Sequence, residues 1–429
     1  MTYDTRTPQN SFGTPIIEQL RDGRSAVWLR PPTAATTNQT PIAPGEIREA
    51  ELRLGRFRPV LAALFPATGW DGRIRSSLLE YPRQADLPPL LVKADHDLPM
   101  TGSVKARGGV YELLCRVEAL ALMEGIVKHG EPLTPLLTPA ARSLFAKHRI
   151  VVASTGNLGF SIGLVARAFG LEAEVHMSHD AKTWKKERLR RTGANVIEHP
   201  CDYTETVARA RTAANAGGSY FIDDESSRLL FVGYTTAAAE LAEQLDARGV
   251  EISTNTPLVV YLPCGVGGAP GGITAGLKTI FGAAVRCIFV EPVASACVLA
   301  ALAVGHGSPV SVYDFGLDND TIADGLAVPV ASKLVMSSVG ASIDAAIAVT
   351  DAAMLAWVQR AWKESGLRLE PSAASGFAAV PLYLEAERNA GAALPSTAVH
   401  VVWTTGGSQL PDDQFAALLD GAPLTPGTP

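Results

Sequence analysis

Ile150-Val151-Val152-Ala153-Ser154-Thr155-Gly156-Asn157-Leu158-Gly159 is the stretch whose reading decides the fold. Its first four residues are short, apolar and mostly β-branched, as in a buried strand. From Asn157 onward the period changes. Leu158, Ile162, Val165 and Phe169 recur at helical spacing, and Gly170 closes the segment. A strand that turns directly into a helix is half of a βαβ unit, and the pattern continues. Residues 173–177, 195–198 and 220–222 read as strands, with helices over 182–192, stopped by Gly193, and over 204–216. A second series opens at residues 258–262, runs through a helix from Gly272 and reaches a strand at 287–290. A last strand, 400–403, runs into Thr404-Thr405-Gly406-Gly407. Strands alternating with helices predict an α/β protein with parallel sheets.

Outside this region the pattern is weaker. Residues 46–65 carry Leu52, Leu54, Phe57, Val60, Leu61 and Leu64 at helical spacing. Residues 1–45 are polar and contain Arg30-Pro31-Pro32-Thr33, so they are expected to wrap the surface. Residues 84–90 read as a loop and 421–429 as a frayed tail. The longest apolar run, 293–304, is shorter than the ~20 residues a membrane helix needs, so it reads as a buried helix and no membrane partner is expected.

The chain has 429 residues, enough for two or three domains, and 47% of them are hydrophobic against 19% charged, the balance of a soluble enzyme with a large core. A formal net charge of −6 argues against a nucleic-acid partner. The one basic run, Lys185-Lys186-Glu187-Arg188-Leu189-Arg190-Arg191, reads as the solvated face of a helix. Five dispersed cysteines without a CxxC pair, and an N-terminus without the order of a signal peptide, point to a cytoplasmic protein.

Ligands of open α/β sheets lie outside the carboxyl ends of strands. Asn157, Gly265, Glu291 and Thr405 all fall at such ends, which predicts one shared site. Cys264-Gly265-Val266-Gly267-Gly268-Ala269-Pro270-Gly271-Gly272 follows a strand and opens a helix, so its N–H groups can crowd an anion. Pro270 breaks the dinucleotide pattern GxGxxG, and no Gly-Lys-Ser/Thr follows to make a P-loop. A turn needed only for packing accounts for the loop equally well. Ser154-Thr155-Gly156-Asn157 suits a carboxylate, yet by itself it reads as a helix N-cap. Lys105 in Thr101-Gly102-Ser103-Val104-Lys105-Ala106-Arg107-Gly108-Gly109 precedes an apolar helix. Asp223-Asp224-Glu225 clusters carboxylates after a strand. His176 and His179 lack partners at metal spacing, and there is no GxSxG. One lysine with two N–H-rich turns is the equipment a pyridoxal phosphate enzyme needs: an amine for the imine and a cradle for the phosphate.

Taken together, these segments resemble the fold type II pyridoxal phosphate enzymes, and within them the D-serine dehydratase (D-serine ammonia-lyase) family. Besides those quoted, the matching stretches include His176-Met177-Ser178, Trp184-Lys185-Lys186, Phe221-Ile222-Asp223-Asp224-Glu225, Ala323-Asp324-Gly325-Leu326-Ala327-Val328, Arg368-Leu369-Glu370-Pro371-Ser372-Ala373 and Val402-Trp403-Thr404-Thr405-Gly406-Gly407, in order from about residue 45 to 415. The resemblance implies a tryptophan synthase β-like fold: two parallel-sheet α/β domains with the cofactor in the cleft between them. Residues 1–109 and 231–429 would form the large cofactor-binding domain, with 1–90 as its N-terminal extension, and 110–230 the small one. Lys105 would carry pyridoxal 5′-phosphate. Gly265, Val266, Gly267, Gly268 and Ala269 would bind its phosphate, Asn157 its 3′-oxygen, and Thr405 would face the pyridine nitrogen. Ser154, Thr155 and Gly156 would hold the substrate carboxylate. Glu291 would help bind a monovalent cation, typically potassium (K+). Thr155 and Asp223 are the candidate bases for the D isomer's α-proton. Ala269 interrupts the family's glycine run, so its φ must suit a side chain. The implied reaction is β-elimination of D-serine to pyruvate and ammonia, and of D-threonine to 2-oxobutanoate. L-serine or threonine dehydratase, threonine synthase and serine racemase are the alternatives. The assembly would be a monomer or homodimer.

Overall fold

Every residue of the strand Leu258–Pro263 is buried, which requires a sheet covered on both faces. The computed structural model describes residues 14–31, 42–67, 69–154, 156–179, 181–201, 203–305 and 310–421. Its strands are β1 (Ala26–Leu29), β2 (Leu78–Glu80), β3 (Leu90–Ala94), β4 (Arg149–Ala153), β5 (Glu172–Ser178), β6 (Asn195–His199), β7 (Tyr220–Ile222), β8 (Leu258–Pro263), β9 (Val285–Pro292), β10 (Ala345–Val349) and β11 (Val399–Thr404). They form two sheets. One has seven strands in the order β1-β10-β9-β8-β11-β3-β2, and the other has four in the order β6-β5-β4-β7.

The small sheet is parallel throughout. The large one is parallel except at its edges, where β1 and β2 run antiparallel to β10 and β3. At its centre Val260 lies between Cys287 of β9 and Val401 of β11. Strand order reverses at one place in each sheet. From β4 the chain moves outward to β5 and β6, then returns to β7 on the other side. From β8 it moves to β9 and β10, and β11 returns on the other side. A crevice opens outside the carboxyl ends at each such reversal.

Helices lock the two reversals together. The helix Arg228–Asp246 packs on the helix Gly268–Phe281 along a glycine seam, where a Cβ on Gly272 would lie 2.5 Å from the carbonyl oxygen of Phe231. It also packs on Lys105–Met123, where a Cβ on Gly108 would lie 2.3 Å from Tyr234 Cε2. Side chains at these positions would push the helices apart.

The helix Lys105–Met123 is anchored from below. Asp95 is wholly buried and accepts hydrogen bonds from Arg107 Nε (2.7 Å), Ser76 Oγ (2.6 Å) and Trp403 Nε1 (2.8 Å). Glu240 pairs with Arg107 and with Lys93. A buried charge is tolerable only when paired and hydrogen-bonded in this way, and here the pairing fixes the helix start two residues from Lys105.

Two expectations need correction. The described part of residues 1–45 does not simply wrap the surface. It contains the helix Pro15–Arg21 and the edge strand β1, held by its ladder and by Arg30 Nε donating to the Ile343 carbonyl at 2.7 Å. The basic run 185–191 is not a solvated face throughout. Lys185 and Lys186 are 6% exposed and ion-paired, to Asp324 and Glu198, each at 2.7 Å. Residues 422–429 of the expected tail lie outside the described residues. Among the described residues no helix is long and apolar enough to cross a membrane.

Candidate active site

One cavity lies between the two sheets, at the carboxyl ends of β4, β7, β8 and β11. Lys105, Ser154, Asn157, Gly265, Val266, Gly267, Gly268, Ala269 and Thr405 line it, so four separate chain segments meet there. Residues to which the sequence reading gave no role in the site line it as well: Lys185, Tyr203, Asp224, Asp324, Glu370 and Ser372. Gly156, Asp223 and Glu291 are not among its lining residues, and Thr155 lies outside the described residues.

Lys105 is the first residue of its helix, and its Nζ donates to Asp224 Oδ2 at 2.7 Å. The loop before it is stitched to the loop after β11: Val104 N–H donates to the Thr405 carbonyl at 2.9 Å, and Ser103 bridges Gly406. The lysine and Thr405 are thereby held in one frame.

Asp223 has a different task from its neighbour. It accepts from Arg211 (2.7 Å), Ser226 Oγ (2.5 Å) and the Glu225 N–H (2.9 Å), which ties the turn together. Consecutive side chains leave a turn in different directions, and it is Asp224 that reaches the lysine. Its Oδ1 is buried without a hydrogen-bond partner.

The glycine loop follows β8. Gly267 has φ 101°, in the left-handed region that glycine occupies at little cost, and a Cβ there would lie 3.0 Å from Val335 Cγ1. The helix begins at Gly268. Ala269 is already its second residue, and its φ is not positive, so the side chain in the glycine run costs nothing. Residues 265–269 thus present backbone N–H groups at the positive end of a fourteen-residue helix, a cradle for phosphate.

At the opposite wall Ser154 Oγ accepts the N–H groups of Gly156 (3.0 Å) and Gly159 (2.9 Å), so it satisfies a first-turn N–H from two residues before the N-cap, which is Gly156. Asn157 Nδ2 donates to Glu370 Oε1 at 3.0 Å, and burial raises the Glu370 carboxyl above its usual range. Ser372 Oγ is buried with no partner. Polar atoms left unpaired beside a cavity are costly unless a ligand satisfies them. Ser372 and Asp224 are such atoms, the glycine loop presents N–H groups of a kind that suit a phosphate, and Lys105 is an amine within the same cavity. The residues fit pyridoxal phosphate.

Glu291 is the last residue but one of β9, fully buried, and its carboxylate accepts the N–H groups of Val298 and Leu299, both at 2.8 Å. Burial pushes its pKa up to about 7, against those bonds. His176 Nδ1 pairs with His199 Nε2 and its Nε2 with Glu174, both at 2.8 Å.

Comparison with known proteins agrees with this geometry. The family described as "Pyridoxal-phosphate dependent enzyme" matches residues 70–405. The chain is 44% identical over 430 residues to a "Probable D-serine dehydratase" of Rhizobium etli (strain CIAT 652), covering 95% of this chain and 96% of that protein. It is 45% identical over 426 residues to a protein of the same name from Sinorhizobium medicae (strain WSM419), covering 95% and 96%. Among solved structures, holo diaminopropionate ammonia lyase from Escherichia coli superposes with a TM-score of 0.73 at 19% identity, covering 93% of this chain and 97% of that one; this likeness concerns the fold. The chain belongs to the pyridoxal-phosphate dependent enzymes and, within them, to the D-serine dehydratase family.

Proposed function

We propose that this protein is a D-serine ammonia-lyase that releases pyruvate and ammonia by β-elimination, and that it converts D-threonine to 2-oxobutanoate in the same way. The observation that carries the reading is the Lys105–Asp224 pair facing a glycine phosphate cradle, in a chain 41–45% identical over nearly its whole length to D-serine dehydratase relatives. Bound pyridoxal phosphate supplies an electrophilic carbon and a conjugated ring that takes up electron density as the substrate's α-proton leaves. Every other part belongs to the chain. Lys105 anchors the cofactor covalently and, when displaced, is an amine able to move a proton. The N–H groups of Gly265, Val266, Gly267, Gly268 and Ala269 hold the phosphate, and Asn157 holds the ring oxygen. Thr405 offers the ring nitrogen a hydroxyl instead of a carboxylate, which does not favour ring protonation and so suits elimination over transamination.

Ser154, Thr155 and Gly156 are assigned to receive the substrate carboxylate. In the D isomer the α-hydrogen points away from the face an L-specific lysine would use. Asp224, across from Lys105, and Thr155 are the groups we assign to that proton; Asp223, spent on the turn, is set aside. Potassium at Glu291, a monomer or homodimer, a division into residues 1–109 with 231–429 and residues 110–230, and a cytoplasmic location, consistent with five free cysteines, complete the proposal. Ammonia release from D- and L-serine, with and without potassium, tests it. Preference for the L isomer would move the assignment to an L-serine or threonine dehydratase, and indifference to potassium would remove the cation site.

A further inference from the structure

We infer that Lys185 is the cation that receives the substrate's α-carboxylate, and that Asp324 occupies that place until substrate arrives. The inference rests on the amino-acid lyase reading above and names the residue that sets its requirement for a carboxylate.

Three carboxyl side chains line the cavity, from Asp224, Asp324 and Glu370. A substrate carboxylate entering among them needs a compensating positive charge. Among the described lining residues the cations are Lys105 and Lys185. Lys105 is committed to the cofactor, which leaves Lys185.

Its position fits. A Cβ built on Gly156 would lie 2.9 Å from Lys185 Nζ, so the ammonium rests on the turn that opens the helix Asn157–Phe169. The turn by itself is a poor anion site, because Ser154 Oγ already accepts two of its N–H groups. The ammonium supplies the charge that the turn lacks.

Its present partner is itself a carboxylate. Lys185 Nζ donates to Asp324 Oδ2 at 2.7 Å, while Lys182 Nζ lies 3.5 Å from the same oxygen. Lys185 is 6% exposed, whereas the Asp324 side chain retains 31% exposure. Exchange of one carboxylate for another leaves Lys185 paired. It also leaves Asp324 with Lys182 and with solvent, so neither charge is stranded. Because Lys185 stands on the helix Thr183–Arg191 beside the small sheet and Asp324 on a segment of the large-sheet half, the exchange releases a tie across the cleft.

The test uses cofactor-loaded Lys185→Met, Lys185→Arg and Asp324→Asn enzymes, with D-serine as substrate and D-serinamide as competitive ligand. A charge-assisted hydrogen bond has the strength to raise the KM of D-serine about 10- to 100-fold in Lys185→Met. We expect kcat within about threefold of the parent, an unchanged Ki for D-serinamide, and partial recovery in Lys185→Arg. Asp324→Asn, freed of the competing carboxylate, lowers the KM. A parallel rise in the KM of D-serine and the Ki of D-serinamide would overturn the inference, as would an unchanged KM. If Lys185→Met loses the cofactor, Asp324→Asn decides: a lowered KM supports exchange, and an unchanged or raised one refutes it. If the parent enzyme does not release ammonia from D-serine, it is the proposed activity that fails. Absorbance titration of the bound cofactor with amino acids and their amides then still reads whether Lys185 selects carboxylates.

Discussion

Lys105 Nζ lies 2.7 Å from Asp224 Oδ2, although 119 residues separate them. One opens a helix that packs on Arg228–Asp246 through Gly108; the other begins the turn before that same helix. The pair is therefore as rigid as the helix seam. Proton handling by a positioned side chain typically contributes about 10²–10⁴-fold. Asp224→Asn is expected to lower kcat/KM for D-serine by at least ~10²-fold while cofactor absorbance is retained. Asp223→Asn is expected to keep turnover within about threefold and to lose ~1–2 kcal/mol of stability, since its oxygens only hold Arg211, Ser226 and the Glu225 N–H. Steady-state kinetics and denaturant unfolding of the two neighbours separate the roles.

Lys105→Ala is expected to yield a folded but colourless protein without lyase activity. A spectrum that kept the yellow absorbance of the cofactor-bound enzyme would assign the covalent link to another amine.

Gly267→Ala addresses the cradle. At φ 101° a side chain meets the left-handed penalty of about 1–2 kcal/mol, and its Cβ would lie 3.0 Å from Val335 Cγ1. If that strain falls on the loaded site, the Kd for pyridoxal phosphate rises by roughly tenfold. Titration of the apoenzyme with the cofactor measures it, and an unchanged Kd would place the phosphate elsewhere.

Glu112 gives the fold a pH signature. Burial raises its pKa to about 7 from an ordinary 4.5, against hydrogen bonds from Ser227 Oγ (2.7 Å) and Tyr220 Oη (3.0 Å). Between those values the folded chain keeps a proton that the unfolded chain has released. This contribution to stability is present below pH 4.5 and is lost as pH rises through about 7. At ~1.4 kcal/mol per unit it amounts to ~3 kcal/mol at most. Glu112→Gln is expected to flatten the pH dependence of unfolding in that window. A Gln variant with the parent's slope would show that the carboxyl does not titrate there.

Much of the architecture was legible along the chain. The alternation from residue 150 to 222 and from 258 to 290 marked β4–β9 to within two residues at each end, since β-branched runs and helical periods are local signals. β10 escaped, because Ala345-Ala346-Ile347-Ala348-Val349 has few β-forming side chains and is a strand through its pairing with β9 and β1. β1 escaped for a related reason: four apolar residues among prolines and polar residues signal an edge strand only once an edge is there to receive them. Lys185 was misread because a charged run on a short helix looks solvated until Asp324 is placed against it.

By itself the sequence determined the inventory: a lysine before a helix, a glycine loop between strand and helix, a hydroxyl-rich turn, and the order of strands and helices that makes the sheets parallel. Spacing and residue type suffice for these because each depends on contacts within about a dozen residues. Tertiary structure alone decided which of Asp223 and Asp224 meets Lys105, that Lys185 and Glu370 line the cavity, and that Glu291 does not. Those outcomes depend on how two strand-order reversals are clamped together by helices whose glycine contacts lie far apart in the chain, and no local pattern records such a distance.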